Sequence, residues 1–147
     1  MAEGYLYVAL FSFAAATIVP FPSEPVVMAI ASQQGYQPWL VWLVATAANT
    51  AGSAVNWWLG RACLKWQGRR WFPVTPAQLS RASRWFQSWG QWALLMAWLP
   101  ILGDALTVAA GVLRVRLSTF VILVAIGKAA RYAAVLGALD GMSRVLR

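Results

Sequence analysis

Residues 18–29 read Ile-Val-Pro-Phe-Pro-Ser-Glu-Pro-Val-Val-Met-Ala, and residues 98–111 read Trp-Leu-Pro-Ile-Leu-Gly-Asp-Ala-Leu-Thr-Val-Ala-Ala-Gly. Each places a carboxylate four residues after a helix-breaking proline, Pro20 to Glu24 and Pro100 to Asp104, inside an otherwise apolar run. Proline removes a backbone donor and breaks a helix interior, so neither run reads as one simple span. Residues 5–19 make an apolar run of 15, short of the ~20 residues a spanning helix needs. A secretory signal is a poor fit, with no basic flank before the run and prolines where a small-residue cleavage site belongs. Two readings stay open for residues 5–32: one span broken in the middle, or a re-entrant hairpin that enters and leaves on one side. Residues 33–38 then form a short polar connection.

Residues 39–60 carry no charge and read as a full transmembrane helix. Trp39 and Trp42 at one end, with Trp57 and Trp58 at the other, fit an aromatic belt. One stripe is not apolar: Asn49, Gly52, Ser53, Asn56 and Gly60 recur at spacings of three and four. It reads either as a close helix–helix contact joined by amide hydrogen bonds or as a polar cavity lined by Asn49 and Asn56. Residues 61–91 then hold Arg61, Lys65, Arg69, Arg70, Arg81 and Arg84, half of the 12 basic residues, which predicts a cytoplasmic linker. Within it, Thr75-Pro76-Ala77-Gln78 has the form of a capped helix start. Leu79, Ala82, Phe86 and Trp89 follow on one face. That helix is expected to lie in the membrane interface, with Arg81, Arg84 and the preceding Arg61 near lipid headgroups. Its tryptophans are spaced for an interface, so no nucleic-acid partner is expected.

The second broken segment covers residues 92–113, and residues 117–136 form the last apolar stretch, with Lys128 and Arg131 well inside it and a polar tail from Gly137. Each break is followed about 24 residues later by a polar feature in a long helix, Asn49 in the first half and Lys128 in the second. Interrupted segments at corresponding places in two halves point to an inverted repeat with a site near the bilayer midplane. The predicted fold is therefore an all-α integral membrane protein, residues 1–147 forming one membrane domain. Repeat 1 spans about 5–60, the basic amphipathic linker 61–91 and repeat 2 about 92–137. Each repeat pairs a proline-broken hairpin with a transmembrane helix, the breaks falling at Pro20, Pro22, Pro25, Pro100 and Gly103. Spanning and re-entrant topologies place equal numbers of basic residues inside, so the positive-inside rule does not choose between them.

Composition supports this class and excludes others. Hydrophobic residues are 61% of the chain and charged residues 11%, too little polar surface to cover a soluble core. There is no histidine, and a lone Cys63 excludes an internal disulfide and a CxxC metal site. No nucleophile or metal constellation is present, so neither an enzyme nor a metal or other cofactor is expected. The net charge of +8 fits anionic lipid headgroups as partners.

An ionised side chain at the bilayer centre costs at least ~2.5–3.5 kcal/mol, so the interior charges need partners. Lys128 and Arg131 are three apart and share a helical face; Glu24 and Asp104 supply the matching negative charges. The cluster reads either as a static ion-pair network or, together with the broken backbone, as a water-accessible path for an ion, a proton or a lipid headgroup. Glu24, Asp104, Lys128, Arg131, Asn49 and Asn56 are the candidate pathway residues. Ala125, Ala129, Ala133, Gly137 and Gly141 form a four-residue ladder for close helix packing, within the chain or in a homodimer.

Four strings, IVPFPSEPVVMA, ANTAGSAVNWWLGR, WLPILGDALTVAAG and GKAARYAAV, resemble in order and spacing the small YqaA-like branch of the DedA membrane-protein family. Its domain is also called VTT or SNARE-associated. The likeness runs from about residue 17 to 135. It implies a multi-pass bacterial inner-membrane protein with two re-entrant hairpins facing each other across the bilayer. Relatives are implicated in moving phosphate-bearing lipids, including undecaprenyl phosphate, in scrambling phospholipids and in physiology linked to the proton-motive force. The family's hairpin acid matches Glu24 and its second-hairpin proline matches Pro100. A further acid that better-known members carry is Ser12 here, and arginines near the second proline are Ala97 and Gly103; Lys128 and Arg131 stand on the neighbouring helix as substitutes. The resemblance implies a transporter or scramblase of phosphate-bearing lipids, with proton coupling through exchange of the Glu24 and Asp104 partners. The competing reading is a non-catalytic membrane assembly or stress factor that acts through partner proteins.

Overall fold

The computed structural model describes residues 2–17, 22–62, 69–70, 74–99 and 102–146, and the regular structure among them is helical. Helices α1 (Ala2–Ala15), α2 (Glu24–Ala31) and α3 (Pro38–Ala62) form the first half. Helix α4 (Pro76–Trp89) runs into a 3-10 segment (Gly90–Met96), followed by α5 (Leu102–Val112) and α6 (Leu117–Val145). Pro20 and Pro100, the two prolines that head the breaks, lie outside the described residues. Pro22 is exposed before α2, while Pro25 sits in the first turn of α2 and starts that helix instead of breaking one.

Helices α1 and α2 fold back on each other. At 14 and 8 residues they are about 21 and 12 Å long at 1.5 Å per residue, each short of the ~30 Å hydrocarbon core. The start of α1 meets the turn that follows α2: the Tyr5 and Tyr36 rings stack edge-on at 5.2 Å, and Gln37 N–H donates to the Tyr5 hydroxyl at 3.3 Å. Gly4 provides the room, since a Cβ there would overlap the Tyr36 ring. The second break is built differently. Its leading arm is a 3-10 helix, and Gly103 marks a close approach of α5 to that arm, where a side chain would strike the Ala97 carbonyl oxygen.

Buried residues form two apolar clusters. One joins α4, the 3-10 segment, α5 and the ends of α3 and α6 around Leu94, Leu106, Val108, Phe120 and Val124. The other joins Val8, Val27, Val41, Ala45 and Tyr132 from α1, α2, α3 and α6. Outside, large apolar side chains stay exposed: Leu6 57%, Leu10 56%, Trp58 56%, Ile122 59% and Ile126 54%. Inside lie Ser12, Asn49, Ser53, Asn56, Thr107 and Lys128. Apolar outside and polar within is the arrangement a lipid solvent selects. By length and hydropathy α6 is the one described helix suited to crossing a membrane. At 25 residues α3 is long enough, and its polar stripe, which faces the protein, lowers its mean hydropathy.

Three expectations change. Trp42 and Trp57 turn inward, donating to the carbonyl oxygens of Ala129 (2.9 Å) and Val115 (3.0 Å), and leave Trp39 and Trp58 as the exposed pair. The apolar face of α4 (Leu79, Ala82, Phe86) packs into the protein core, while Trp89 is exposed. The tail from Gly137 is helical, continuing α6 with an exposed Arg144–Asp140 ion pair at 2.8 Å. The α4 capping box forms as expected, with Gln78 N–H donating to Thr75 Oγ1 (3.2 Å) and Thr75 N–H to Gln78 Oε1 (2.9 Å). Thr75→Ala should therefore lower thermal stability in detergent by about 1 kcal/mol, and Thr75→Ser should retain it.

Candidate functional site

The two acids occupy equivalent places. Glu24 lies in the first turn of α2 and Asp104 in the first turn of α5, where the helix dipole favours a carboxylate. Both face α6, whose residues 128–132 carry the opposing charges. Glu24 forms an ion pair with Arg131 through Oε1 and Nη2, the side chains 19% and 29% exposed. The other arm of the same guanidinium, Nη1, donates to the Trp98 carbonyl oxygen at 2.9 Å. Arg131 thus holds both broken segments at once, by a side chain of the first and a backbone oxygen of the second. Beneath it the Ser23 and Tyr132 hydroxyls share a buried 2.6 Å hydrogen bond. Lys128 of α6 is 3% exposed and interacts electrostatically with Asp104 of α5.

Asn49 and Asn56 lie apart from this cluster. Asn49 Nδ2 donates to the Ser12 carbonyl oxygen (2.7 Å), and Asn56 Nδ2 donates to that of Ala16 (2.9 Å) and to Thr107 Oγ1 (3.3 Å). They tie α1 and α5 to α3. Arg61 is exposed with its guanidinium carbon 5.3 Å from the Trp57 ring centre, a cation–π contact. Arg81 and Arg84 are exposed on α4. Ser23, Tyr132 and the Trp98 carbonyl were not among the expected site groups. Ser23 and Tyr132 each neighbour a charged site residue, the one signal available; a backbone acceptor carries no sequence mark. Among the described residues no cluster of histidine, cysteine and carboxylate suited to a metal is present.

Residues 21–140 match the VTT domain. The chain is 34% identical over 142 residues to "Inner membrane protein YqaA" of Escherichia coli K12, covering 94% of each chain. The chain belongs to the VTT-domain, or DedA, family. An "Uncharacterized protein" of Haemophilus influenzae is 30% identical over 145 residues, 92% of this chain and 87% of that one. "Undecaprenyl phosphate transporter A" of Staphylococcus aureus is 27% identical over 95 residues, 59% of this chain and 47% of that protein. No solved structure matches. The four motifs read from the sequence are those of a VTT-domain membrane protein of the YqaA type, and the family assignment they carried is borne out.

Proposed function

We propose that this VTT-domain protein moves phosphate-bearing lipids across the bacterial inner membrane, as a multi-pass transporter or scramblase with re-entrant hairpins. The observation that carries the reading is Arg131, joined at once to Glu24 of the first break and the Trp98 carbonyl of the second. A guanidinium fork suits phosphate as well as carboxylate. An incoming headgroup competes with Glu24 for Arg131, and releasing that contact loosens the link between the two breaks. Lys128 of α6 and Asp104 of α5 are the second set of opposite charges that can exchange partners. Protonation of a carboxylate frees a cation in the same way, which couples lipid passage to protons. No chemical step on the lipid is part of this reading: the headgroup exchanges electrostatic partners and leaves unchanged. The partial likeness to a protein named as an undecaprenyl phosphate transporter supports the choice of cargo class.

The test is reconstitution in liposomes with fluorescent polyprenyl phosphate and, separately, fluorescent phospholipid. Wild type should speed transbilayer movement above protein-free liposomes, and Glu24→Gln/Asp104→Asn should return it to that level while still inserting. Folded wild type that moves neither lipid, or an equally fast double variant, is incompatible with the proposal.

A further inference from the structure

Helix α1, the leading arm of the first break, ends inside the protein at Ala15, and its last carbonyls meet the middle of α3. Asn49 Nδ2 donates to the Ser12 carbonyl oxygen at 2.7 Å, and Asn56 Nδ2 to that of Ala16 at 2.9 Å. Between the two asparagines the backbones come close: a Cβ on Gly52 would overlap the Phe13 carbonyl oxygen. Both amides thus turn their nitrogens toward α1. Six buried side-chain oxygens among the described residues make no hydrogen bond: Ser12 Oγ, Thr46 Oγ1, Asn49 Oδ1, Thr50 Oγ1, Ser53 Oγ and Asn56 Oδ1.

Three of the six gather where α1 ends. Ser12 and Asn49 are already joined by a hydrogen bond, and Ser53 follows one helical turn after Asn49, beside Gly52. Ser12, Asn49 and Ser53 are 0%, 4% and 0% exposed. Helical residues four apart share a face, the spacing at which two side chains hold one ion.

The polarity of this spot has one sign. A helix C-terminus carries roughly half a negative charge, and α1 brings that end here. No basic side chain offsets it: Arg61 stands in the last turn of α3, and Lys128 and Arg131 face Asp104 and Glu24. Glu3, the acid of α1, lies in its first turn, at the other end of that helix. Water needs donors as well as acceptors around it, and the asparagine donors are already committed to α1. A cation needs oxygens alone. Neutral ligands without a carboxylate suit a single positive charge, since divalent sites are built with carboxylates. Half-helix C-termini and nearby carbonyls hold sodium in this way inside membranes.

We infer that Ser12 Oγ, Asn49 Oδ1, Ser53 Oγ and the Phe13 carbonyl oxygen bind one alkali-metal cation, which fastens the leading arm of the first break to α3. Gly52 serves the site by letting that carbonyl approach. The site takes neither lipid nor proton, so it stands apart from the proposed transport.

The test is thermal melting in detergent, with choline holding total chloride constant. Raising sodium from ~1 to ~100 mM should lift the melting temperature of wild type by ~5 °C and then level off. Potassium is run in parallel, and a saturating shift with either metal is the expected result; choline, too large to fit, gives none. Ser12→Ala and Ser53→Ala should each need at least ~10-fold more cation for the same shift. In choline alone each should melt no lower than wild type, because it removes a buried unpaired hydroxyl, so a lost shift is not misfolding. Gly141→Ala, remote from the site, should keep the wild-type response. Equal melting in sodium, potassium and choline overturns the inference and leaves a seam that is hydrated or dry. A full shift that survives in both serine variants overturns it too, since the ion then binds elsewhere.

Discussion

Arg131→Ala is expected to destabilise the protein by about 1–3 kcal/mol, between the ~0–1 kcal/mol of an exposed ion pair and the ~3–5 kcal/mol of breaking a fully buried one, because both side chains are part-exposed. Glu24 is 19% exposed and retains no cation of its own, and the Trp98 carbonyl loses its donor as well. The measurable outcome is a lower melting temperature in detergent and poor recovery from the membrane. Arg131→Lys should be intermediate, since an ammonium can meet Glu24 but cannot fork to the carbonyl at the same time. Glu24→Gln/Arg131→Gln removes both charges and should recover most of the lost stability, because replacing a whole buried pair is frequently near neutral.

That double variant separates two roles of the same residues. A static clamp, needed only to hold the breaks together, predicts that lipid movement returns with stability. The exchange reading predicts a stable, correctly inserted protein that moves no lipid. The result turns on chemistry more than on fold: glutamine can bridge the two segments, but it offers a phosphate no positive charge. Recovery of both properties in Glu24→Gln/Arg131→Gln would leave Arg131 as a structural tie and remove the observation on which the proposed transport rests.

The legible parts of this fold are those written in local chemistry. Thr75 and Gln78 specify the start of α4 through their own side chains, and the capping box forms. The charge-free run at 39–60 becomes α3, extended by two residues at its C-terminal end through Arg61 and Ala62. The face-sharing of Lys128 and Arg131 follows from helical geometry, and both turn toward the acids. Choices among partners are less legible. The apolar face of α4 has the same pattern whether it meets lipid or α5, because both solvents are apolar; only tertiary packing decides. Trp42 and Trp57 likewise fit a belt by position, yet each finds an inward carbonyl for its indole N–H. The 3-10 segment at 90–96 has no periodic mark that sets it apart from an α-helix. The unpartnered hydroxyls of Thr46 and Thr50 were invisible for a related reason: a threonine in an apolar run usually bonds its own helix, and only the structure shows that these do not.

Gly60 and Gly111 should be the positions least tolerant of added volume. They lie across the α3–α5 contact, and each faces backbone: a Cβ on Gly60 would overlap the Val108 carbonyl oxygen, and one on Gly111 would overlap the Trp57 carbonyl oxygen. Backbone cannot rotate aside as a flexible side chain can, so the helices must separate, and the Asn56–Thr107 hydrogen bond between them lengthens. Gly111→Ala and Gly60→Ala should each cost about 1–3 kcal/mol, the range for overpacking, even though alanine is the better helix former. Gly137 and Gly141 on α6 provide the contrast, with nothing within 4 Å of an added Cβ. There the same change should raise stability by up to about 1 kcal/mol through helix propensity alone. The four variants can be ranked by melting temperature in one detergent. Gly60→Ala/Gly111→Ala should cost less than the sum of its parts, because the first substitution already forces apart the interface that the second would strike. Full additivity would mean that the two glycines relax independently and that α3 and α5 do not move as a pair.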